Sequence, residues 1–388
     1  MKKIGLVPLE YHSFNYGGTL QNYALQQAIT KSGYIVEVFN FDNENEKLFS
    51  PSSPAKKMTI ASMFKKRVQK AFNLLFFKEV NGKKVKFKEF REKYFVDMRE
   101  PVLTNLCKVT KEFDCFVCGS DQVWNPYWAK SDHFLSFVPN DIPKVSYAAS
   151  IGVDELSDHQ KKVYKPLINN FSLISVREKK GKEILESFID DSKNVEVVLD
   201  PTMLLTSKEW DLILPENKIK EKYIFTYFLG EDSKLRESAE AFAKEYGYKI
   251  VNIPYLYGDF RKSDFLFGHI KYSFAGPEDF VNLIKNAEIV LTDSFHACVF
   301  SIIYKKDFYV FDRKVYGKSM SSRITGLLDS LDISDRILST NHNMKEVSIG
   351  NINYENVNIK LHDLRISSLS FLKQAINVDL KLQEKIND

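Results

Sequence analysis

Short apolar stretches alternate with longer amphipathic stretches along most of the chain. At the start they predict a strand at 3–8, a helix at 19–31 that stops before Gly33, and a strand at 35–39. Farther along, strands are predicted at 113–118, 144–149, 172–176 and 195–199, and a helix is predicted at 178–188. This alternation predicts a parallel sheet with helices on both of its faces.

The alternation restarts after Asp200-Pro201. It predicts strands at 223–228, 249–253, 288–292 and 308–312, and helices at 233–246, 277–285 and from about 295. An amphipathic helix is predicted from Ile366 onward. The chain is therefore expected to form two Rossmann-like α/β domains, 1–205 and 206–388. Ligands of such sheets bind beyond the carboxyl ends of the strands, so we expect the site in a cleft between the domains.

Composition narrows the class of protein. The 388 residues are 44% hydrophobic and 27% charged, as in an ordinary globular protein. Lys and Arg number 55 and Asp and Glu 51, a balance that gives no reason to expect a nucleic-acid partner. Cys115 and Cys118 form a C-x-x-C, but on a strand these positions face opposite sides, so we expect reduced cysteines that pack in the core. The acidic residues, and the histidines other than His296, show no spacing that is typical of metal ligands, and no metal is expected.

The sequence contains no apolar run of 18 residues, and its first residues do not read as a signal peptide. We therefore expect a cytoplasmic protein. One segment, 56–100, is strongly basic, with 14 Lys or Arg against 5 Asp or Glu and with interleaved phenylalanines. This insertion, near 52–100, is expected to be a helical hairpin that packs its phenylalanines on the first domain. The alternative is peripheral contact with an anionic membrane at its inner face.

The strongest candidate for chemistry is the segment 288–303, a buried strand followed by a short turn and a helix. Ser294 is a good N-cap, and the start of the helix behind it is a favourable place for an anion. His296 lies in the first turn, where an imidazole can exchange a proton with a bound anion near neutral pH. The alternative is a core histidine bonded to a neighbouring carbonyl.

Two further loops follow predicted strands. Gly17 and Gly18 lie between the first strand and the first helix, where backbone can approach a ligand closely or simply turn. The loop at 119–126 presents a carboxylate, Asp121, with amides and an indole, a combination suited to sugar hydroxyls. Alternatively, Asp121 only caps a helix. Arg177 ends a strand and Arg323 starts a helix, and each is either an anion ligand or a surface ion-pair partner.

Seven segments together resemble the polysaccharide pyruvyl transferase family. They are Asn15-Tyr-Gly-Gly-Thr-Leu-Gln-Asn22, Gly119-Ser-Asp-Gln-Val-Trp-Asn125, Ser146-Tyr-Ala-Ala-Ser-Ile-Gly152, Ser175-Val-Arg-Glu178, Val198-Leu-Asp-Pro-Thr202, Thr292-Asp-Ser-Phe-His296 and Ser322-Arg323. The resemblance implies a glycosyltransferase-B-like pair of domains, with the acceptor on the first and the donor on the second. It also implies that phosphoenolpyruvate (PEP) is the co-substrate, without a further cofactor. Pyruvate would be transferred as a ketal to a sugar of a surface polysaccharide, such as a capsule, or to its precursor, which is either free or lipid-linked.

The family's donor-binding arginine corresponds to Arg177 and its histidine to His296. Many members have Arg-Leu-His where this chain has Ser294-Phe295-His296, so either Arg323 or Lys318 is expected to supply the missing cation. The expected catalytic residues are His296, as acid, and Asp121, as base. The expected donor-binding residues are Arg177, Ser294, Phe295, Arg323 and Lys318. The expected acceptor-binding residues are Asn15, Gly17, Gly18, Ser120, Gln122, Trp124 and Asn125.

Two other functions remain open at this point. The same architecture serves glycosyltransferases that use a nucleotide sugar, whose diphosphate would occupy the helix start at Ser294. A protein that keeps the fold and binds saccharides without catalysis is the third possibility. The ligand that the protein binds, PEP, a nucleotide sugar or neither, separates the three.

Overall fold

The structure is a computed structural model, and the residues that it describes are 1–9, 12–41, 47–49, 67–68, 70–71, 76–95, 98–99, 106–255, 262–311, 314–315, 318–319, 322–339, 349–350 and 352–378. The chain folds into two compact units. Unit 1 comprises Met1–Pro51, Tyr94–Leu205 and Asn356–Asp388, and unit 2 comprises Ser52–Lys93 and Thr206–Glu355. The division after Leu205 coincides with the predicted one. The basic insertion and the C-terminal segment, however, each belong to the unit opposite to the one predicted.

Unit 1 is built on a parallel sheet. Its strands are β1 (Lys3–Val7), β2 (Ile35–Phe39), β3 (Met98–Arg99), β4 (Cys115–Cys118) and β5 (Lys144–Ser146), arranged in the order β3-β2-β1-β4-β5. A parallel pair, β6 (Ile174–Val176) and β7 (Val195–Val197), continues beside β5 through single bridges such as Val145 to Leu173. The chain therefore runs outward in one direction from β1 to β3, and in the other direction from β4 onward.

Unit 2 repeats this arrangement. Its parallel strands are β8 (Tyr223–Tyr227), β9 (Lys249–Asn252), β10 (Ile270–Lys271), β11 (Ile289–Thr292), β12 (Asp307–Phe311) and β15 (Ile337–Leu338). They lie in the order β10-β9-β8-β11-β12-β15. A small antiparallel pair, β13 (Lys314–Val315) and β14 (Lys318–Ser319), follows β12. Two doubly wound sheets of the same strand order confirm the prediction of an α/β protein with two Rossmann-like domains.

Helices connect the strands. In chain order they are α1 (Tyr16–Lys31), α2 (Phe77–Tyr94), α3 (Leu106–Thr110), α4 (Asp158–Asn169), α5 (Lys179–Glu186), α6 (Ser207–Asp211), α7 (Ser233–Tyr246), α8 (Lys262–Phe265), α9 (Pro277–Asn286), α10 (Phe295–Ile303), α11 (Ser322–Ser330) and α12 (Tyr354–Ile376). The predicted end of α7 is confirmed, because Gly247 adopts a left-handed backbone (φ +68°) and its N–H caps the Ala243 carbonyl. The C-terminal helix begins twelve residues before the predicted Ile366.

Unit 1 has a hydrophobic core on each face of its sheet. Cys115 packs in one cluster with Ile4 and Val38, whereas Cys118 packs in the other with Phe116. The two sulfurs therefore belong to opposite faces, as expected for positions three apart on a strand. Both cysteines are free and buried, and burial raises the pKa of the Cys115 thiol to about 12. Such a thiol stays protonated and unreactive at neutral pH.

The basic insertion is described mainly through α2. Phe87 and Phe90 of this helix are fully buried, and Phe77 is exposed. Gly82 lies so close to the ring of Phe274 that an added Cβ would be 2.2 Å from it. Residues 77–93 of the helix belong to unit 2, whereas the prediction assigned the insertion to the first domain. Phe64 and Phe72 of the insertion lie outside the described residues. No helix in the described ranges is long and apolar enough to cross a membrane.

Candidate functional site

Each sheet has a switch point, where the chain leaves two neighbouring strands in opposite directions. In unit 1 it lies between the carboxyl ends of β1 and β4, and in unit 2 between those of β8 and β11. Loops beyond such points are the usual ligand sites of open α/β sheets. Most of the predicted site residues lie in these two sets of loops.

The turn after β11 is held by its own side chains. Asp293 accepts two backbone hydrogen bonds from the loop after β8, from Leu229 N and Gly230 N, each at 2.6 Å. Thr292 donates its hydroxyl to the Tyr227 carbonyl at 2.6 Å and accepts a bond from Ser294 N at 3.0 Å. These contacts join the ends of β8 and β11 at the switch point.

Ser294 is the N-cap of α10, as predicted, and its hydroxyl oxygen accepts a hydrogen bond from Ala297 N at 3.5 Å. His296 and Phe295 occupy the first turn, with ring centroids 5.2 Å apart and planes nearly perpendicular. Arg323, near the start of α11, has its guanidinium carbon 6.0 Å from the centroid of the Phe295 ring, within range of a cation–π contact. Unit 2 therefore brings together four predicted residues that lie up to 29 positions apart.

The fifth predicted site residue of unit 2, Lys318, begins β14. Its side chain lies outside the described part of the structure. Of the two candidate cations, Arg323 is therefore the one whose described contacts include the start of α10.

In unit 1, Arg177 follows β6 and is surrounded by carboxylates. Its Nη1 donates to Asp200 Oδ2 at 2.6 Å and its Nη2 to Asp121 Oδ1 at 2.9 Å. Its Nε lies 4.0 Å from an oxygen of Glu178. Burial works to lower the pKa of Arg177, but the charges of the three carboxylates outweigh burial and hold that pKa above its usual value. Arg177 was predicted to bind the donor, and the structure places it in a buried ion cluster (Arg177, Asp121, Asp200, Glu178), hereafter the arginine cluster.

Glu178 connects the arginine cluster to the loop after β5. Its Oε1 accepts bonds from the hydroxyl of Ser150 at 2.8 Å and from Ile151 N at 3.2 Å. With one guanidinium and three carboxylates, the cluster has a formal charge of −2. Among the described residues, no three His, Cys, Asp or Glu side chains lie together as a metal site.

The loop after β4 places Asp121 and Ser120 at the switch point of unit 1. Gly119 has φ +130°, and a Cβ there would be 2.2 Å from the Tyr147 carbonyl oxygen, so only glycine fits. Asp121 has a left-handed backbone, φ +63°, which aspartate tolerates better than most residues. Ser120 donates from its hydroxyl and its backbone N–H to Gln21 of α1, at 2.7 and 3.1 Å. The segment Asn15–Asn22 and the loop after β4 are therefore in direct contact.

Three predicted acceptor residues of the β4 loop make their described contacts with other residues of the protein. Trp124 is fully buried, stacks on Phe134 and donates its indole N–H to the His133 carbonyl at 3.0 Å. This corrects the predicted acceptor role of Trp124, because its ring has no face left for a sugar. Asn125 donates to Gln122 Oε1 at 2.7 Å, and this pair packs over Gly152, where a Cβ would be 2.3 Å from the Gln122 oxygen.

Asn15 is the N-cap of α1, and its side-chain oxygen accepts a bond from Gly18 N at 3.3 Å. Gly17 and Gly18 therefore belong to the first turn of the helix, not to a loop before it, and both are buried. The helix therefore begins three residues before the predicted start at 19. Four residues of these sites that sequence reasoning did not single out are Gln21, Glu178, Asp200 and Asp293. All four belong to the family-like segments, which was the only available signal for them.

Among solved structures, three similar ones illustrate the overall resemblance. S. aureus MnaA in complex with UDP is 14% identical, with a TM-score of 0.49 over 97% of this chain and 89% of that one. The UDP-GlcNAc 2-epimerase of Neisseria meningitidis, bound to UDP-GlcNAc, is 14% identical, with a TM-score of 0.46 over 94% and 99%. A glycosyltransferase from Rickettsia africae is 12% identical, with a TM-score of 0.48 over 100% and 96%. No curated protein matches the sequence.

The family comparison is more informative. The model of the polysaccharide pyruvyl transferase family matches residues 15–314, which include the switch point of unit 2, the β4 loop of unit 1 and the whole arginine cluster. The match begins at the N-cap of α1 and ends at the start of β13. The resemblance predicted from the seven segments is confirmed, and the chain belongs to the polysaccharide pyruvyl transferase family.

Proposed function

We propose that this protein transfers pyruvate from PEP to a sugar of a surface polysaccharide, or to its precursor, and forms a ketal. The observation that carries the proposal is the position of Arg323 over the Phe295 ring, at the helix start that carries His296. A small donor with a phosphate and a carboxylate needs a cation and favourable backbone dipoles, and this helix start offers both. Many family members have an arginine where this chain has Ser294. We therefore assign the role of that cation to Arg323.

The reaction needs one proton delivered and two removed. Protonation of C3 of PEP makes C2 electrophilic, and a sugar hydroxyl then bonds to C2 and loses its proton. A second hydroxyl of the same sugar bonds to C2, the C2–O bond to phosphate breaks, and the second proton leaves with the phosphate. In this scheme His296 donates the proton to C3 or to the phosphate, and Arg323 binds an anionic group of the donor.

Unit 1 supplies the base in the same scheme. Asp121 accepts the proton of the attacking hydroxyl, and we assign Arg177 to orienting Asp121 because both its terminal nitrogens already bond to carboxylates. We assign the acceptor sugar to Gln122, which is half-buried and whose Oε1 already accepts from Asn125, whereas Ser120 is fully buried and bonded to Gln21.

Ligand binding provides the first test. Purified protein is titrated with PEP, and separately with UDP-, GDP- and CMP-sugars, each with and without a panel of acceptor saccharides, while its melting temperature is measured. At a hundred times its Kd a ligand adds about 2.7 kcal/mol to the free energy of unfolding. We expect a shift with PEP that is lost in Arg323→Met and kept in Arg99→Met. A shift with a nucleotide sugar instead would support a glycosyltransferase, and no shift with any donor would support a saccharide-binding protein without catalysis.

Turnover provides the second test. For His296→Asn we expect kcat to fall by about 10²- to 10⁴-fold, because a positioned acid contributes that much. Release of phosphate from PEP with an acceptor is the measurement, and His159→Asn, on the exposed start of α4, is the matched control. The His296 variant is expected to unfold at the same denaturant concentration as the wild type. Wild-type turnover by that variant would remove His296 from the mechanism.

A further inference from the structure

Asp200, the partner of Arg177, belongs to a short segment between β7 and α6. Asp200 Oδ1 caps a single 3-10 turn, Pro201–Met203, by accepting bonds from the N–H and the hydroxyl of Thr202 at 3.0 and 2.6 Å. Its other oxygen accepts the bond from Arg177. The position of this turn therefore determines where the carboxylate meets the guanidinium.

Helix α12 holds the segment at both of its ends. The Ser368 hydroxyl oxygen accepts a bond from Leu199 N at 2.9 Å, and Arg365 Nε donates to the Met203 carbonyl at 2.8 Å. The two side chains are three positions apart and so lie on one face of the helix. Tyr147 adds a third contact, because its hydroxyl donates to the Leu199 carbonyl at 3.2 Å.

The Ser368 contact is fully enclosed. Ser368 is 1% exposed, and the Leu199 N–H group that donates a hydrogen bond to it is buried as well. A buried N–H group without an acceptor costs free energy. We therefore expect the segment to move until Leu199 N has another acceptor. Asp200 is the next residue along the chain, and any such movement reaches Arg177 and then Asp121 through two charge-assisted hydrogen bonds.

We propose that Ser368 and Arg365 are positioning residues for Asp121, acting through the segment Leu199–Met203 and Arg177. This inference rests on the proposed function, in which Asp121 is the base. Both residues lie beyond the part of the chain that matches the family model, 15–314, so the site depends on a helix outside the matched region.

The first experiment measures position without turnover. Crystal structures are determined for Ser368→Ala and Arg365→Met, with Ser367→Ala as the matched control. Ser367 is adjacent on α12, exposed, and donates only to the Leu364 carbonyl within its own helix. In Ser368→Ala we expect at least one of the two Arg177 contacts to lengthen beyond 3.5 Å, whereas the control keeps both. If both contacts are kept in Ser368→Ala and in Arg365→Met, the proposal is wrong.

The second experiment measures the consequence for chemistry. In Ser368→Ala we expect kcat to fall about tenfold and the acid limb of the kcat–pH profile to move to higher pH, because Asp121 loses a positive neighbour that favours its ionised form. The groups that surround Arg177 in this comparison are Asp121, Asp200 and Glu178. Ser368→Thr keeps the hydroxyl and is expected to restore both values. A stability loss without a shift of the acid limb would indicate a merely structural role and contradict the proposal.

The two proposals fail in different ways. If the wild-type protein shows no turnover of PEP with any acceptor, the proposed function is wrong, yet the crystal structures still decide whether Ser368 positions Arg177. If turnover is normal in Ser368→Ala and the contacts are intact, the proposed function stands and the positioning role is refuted. Arg365→Met serves the same purpose if Ser368→Ala does not fold.

Discussion

The two switch points share a strand order and hold their buried carboxylates in different ways. In unit 1, three carboxylates of the arginine cluster share one guanidinium. In unit 2, the carboxylate of Asp293 accepts hydrogen bonds from two backbone N–H groups, and Arg323 and His296 lie at the adjacent helix start. The first arrangement leaves excess negative charge, and the second leaves a region suited to an anion.

Under the proposed function, this difference suits the two partners of the reaction. Sugar hydroxyls need acceptors and a base, which carboxylates provide, whereas PEP needs cations and amide dipoles. A common backbone can therefore serve opposite electrostatic tasks, because the sheet only determines where the loops lie. The charge at each switch point depends on which groups satisfy its carboxylates.

The largest expected effect on stability concerns Arg177 in unit 1. Arg177→Met removes the guanidinium that three buried carboxylates share, and we expect the free energy of unfolding to fall by about 3–5 kcal/mol. Arg99→Met is the control, because Arg99 makes half-exposed ion pairs with Glu37 and Glu112 that are each worth about 0–1 kcal/mol. Urea denaturation of both variants gives the comparison. Similar losses would mean that the arginine cluster is not a special feature of unit 1.

A smaller effect is expected for the amide-bound carboxylate of unit 2. Asp293→Asn can still accept a bond from one of Leu229 N and Gly230 N, but its NH₂ group cannot accept the other. We expect a loss of about 1–3 kcal/mol, the usual cost of an unsatisfied buried donor. Asp232→Asn is the matched variant, because Asp232 is an exposed N-cap where asparagine serves equally well. Equal stability of both variants would show that the amide contacts of Asp293 contribute nothing.

The smallest expected effect concerns Glu278, a carboxylate whose burial is only partly offset by a backbone hydrogen bond and by nearby lysines. Glu278 lies in the first turn of α9, and its Oε2 is buried without a hydrogen-bond partner among the described residues. Burial raises the pKa of Glu278, helped by the charge of Asp279, while Lys86 and Lys93 oppose the shift. A carboxyl group with a raised pKa destabilises the fold progressively as pH rises from its unfolded value, about 4.5, through the folded value.

Glu278→Gln is therefore expected to raise the free energy of unfolding at pH 7 by less than about 1 kcal/mol, and the melting temperature slightly, with the gain disappearing below about pH 4. Thermal melts at several pH values are the measurement. Glu288→Gln, at a half-exposed position before β11, is expected to show no such gain. A gain that persists at low pH would assign the effect to packing instead of charge.

Much of the fold followed from the periodicity of the sequence. The apolar stretches identified the main strands of both sheets within a few residues, and the position of Ser294 after an apolar strand identified the N-cap of α10. Errors occurred where a local preference was overruled. Gly17 and Gly18 were predicted in a loop, but Asn15 caps a helix that includes them. Trp124 was predicted to face a sugar, but the core around Phe134 takes up its ring.

The alternating pattern, the caps and the family-like segments determined the class of fold and the identity of most site residues, because periodicity and local hydrogen bonds are properties of neighbouring positions. Only the tertiary structure decided how those residues are paired. Arg177 meets Asp121 and Asp200 across 56 and 23 positions, and Ser368 reaches Leu199 across 169. Such contacts depend on distances between side chains after the strands and helices have packed. The periodicity of a sequence records which residues are buried, but it does not record which residues they are buried against.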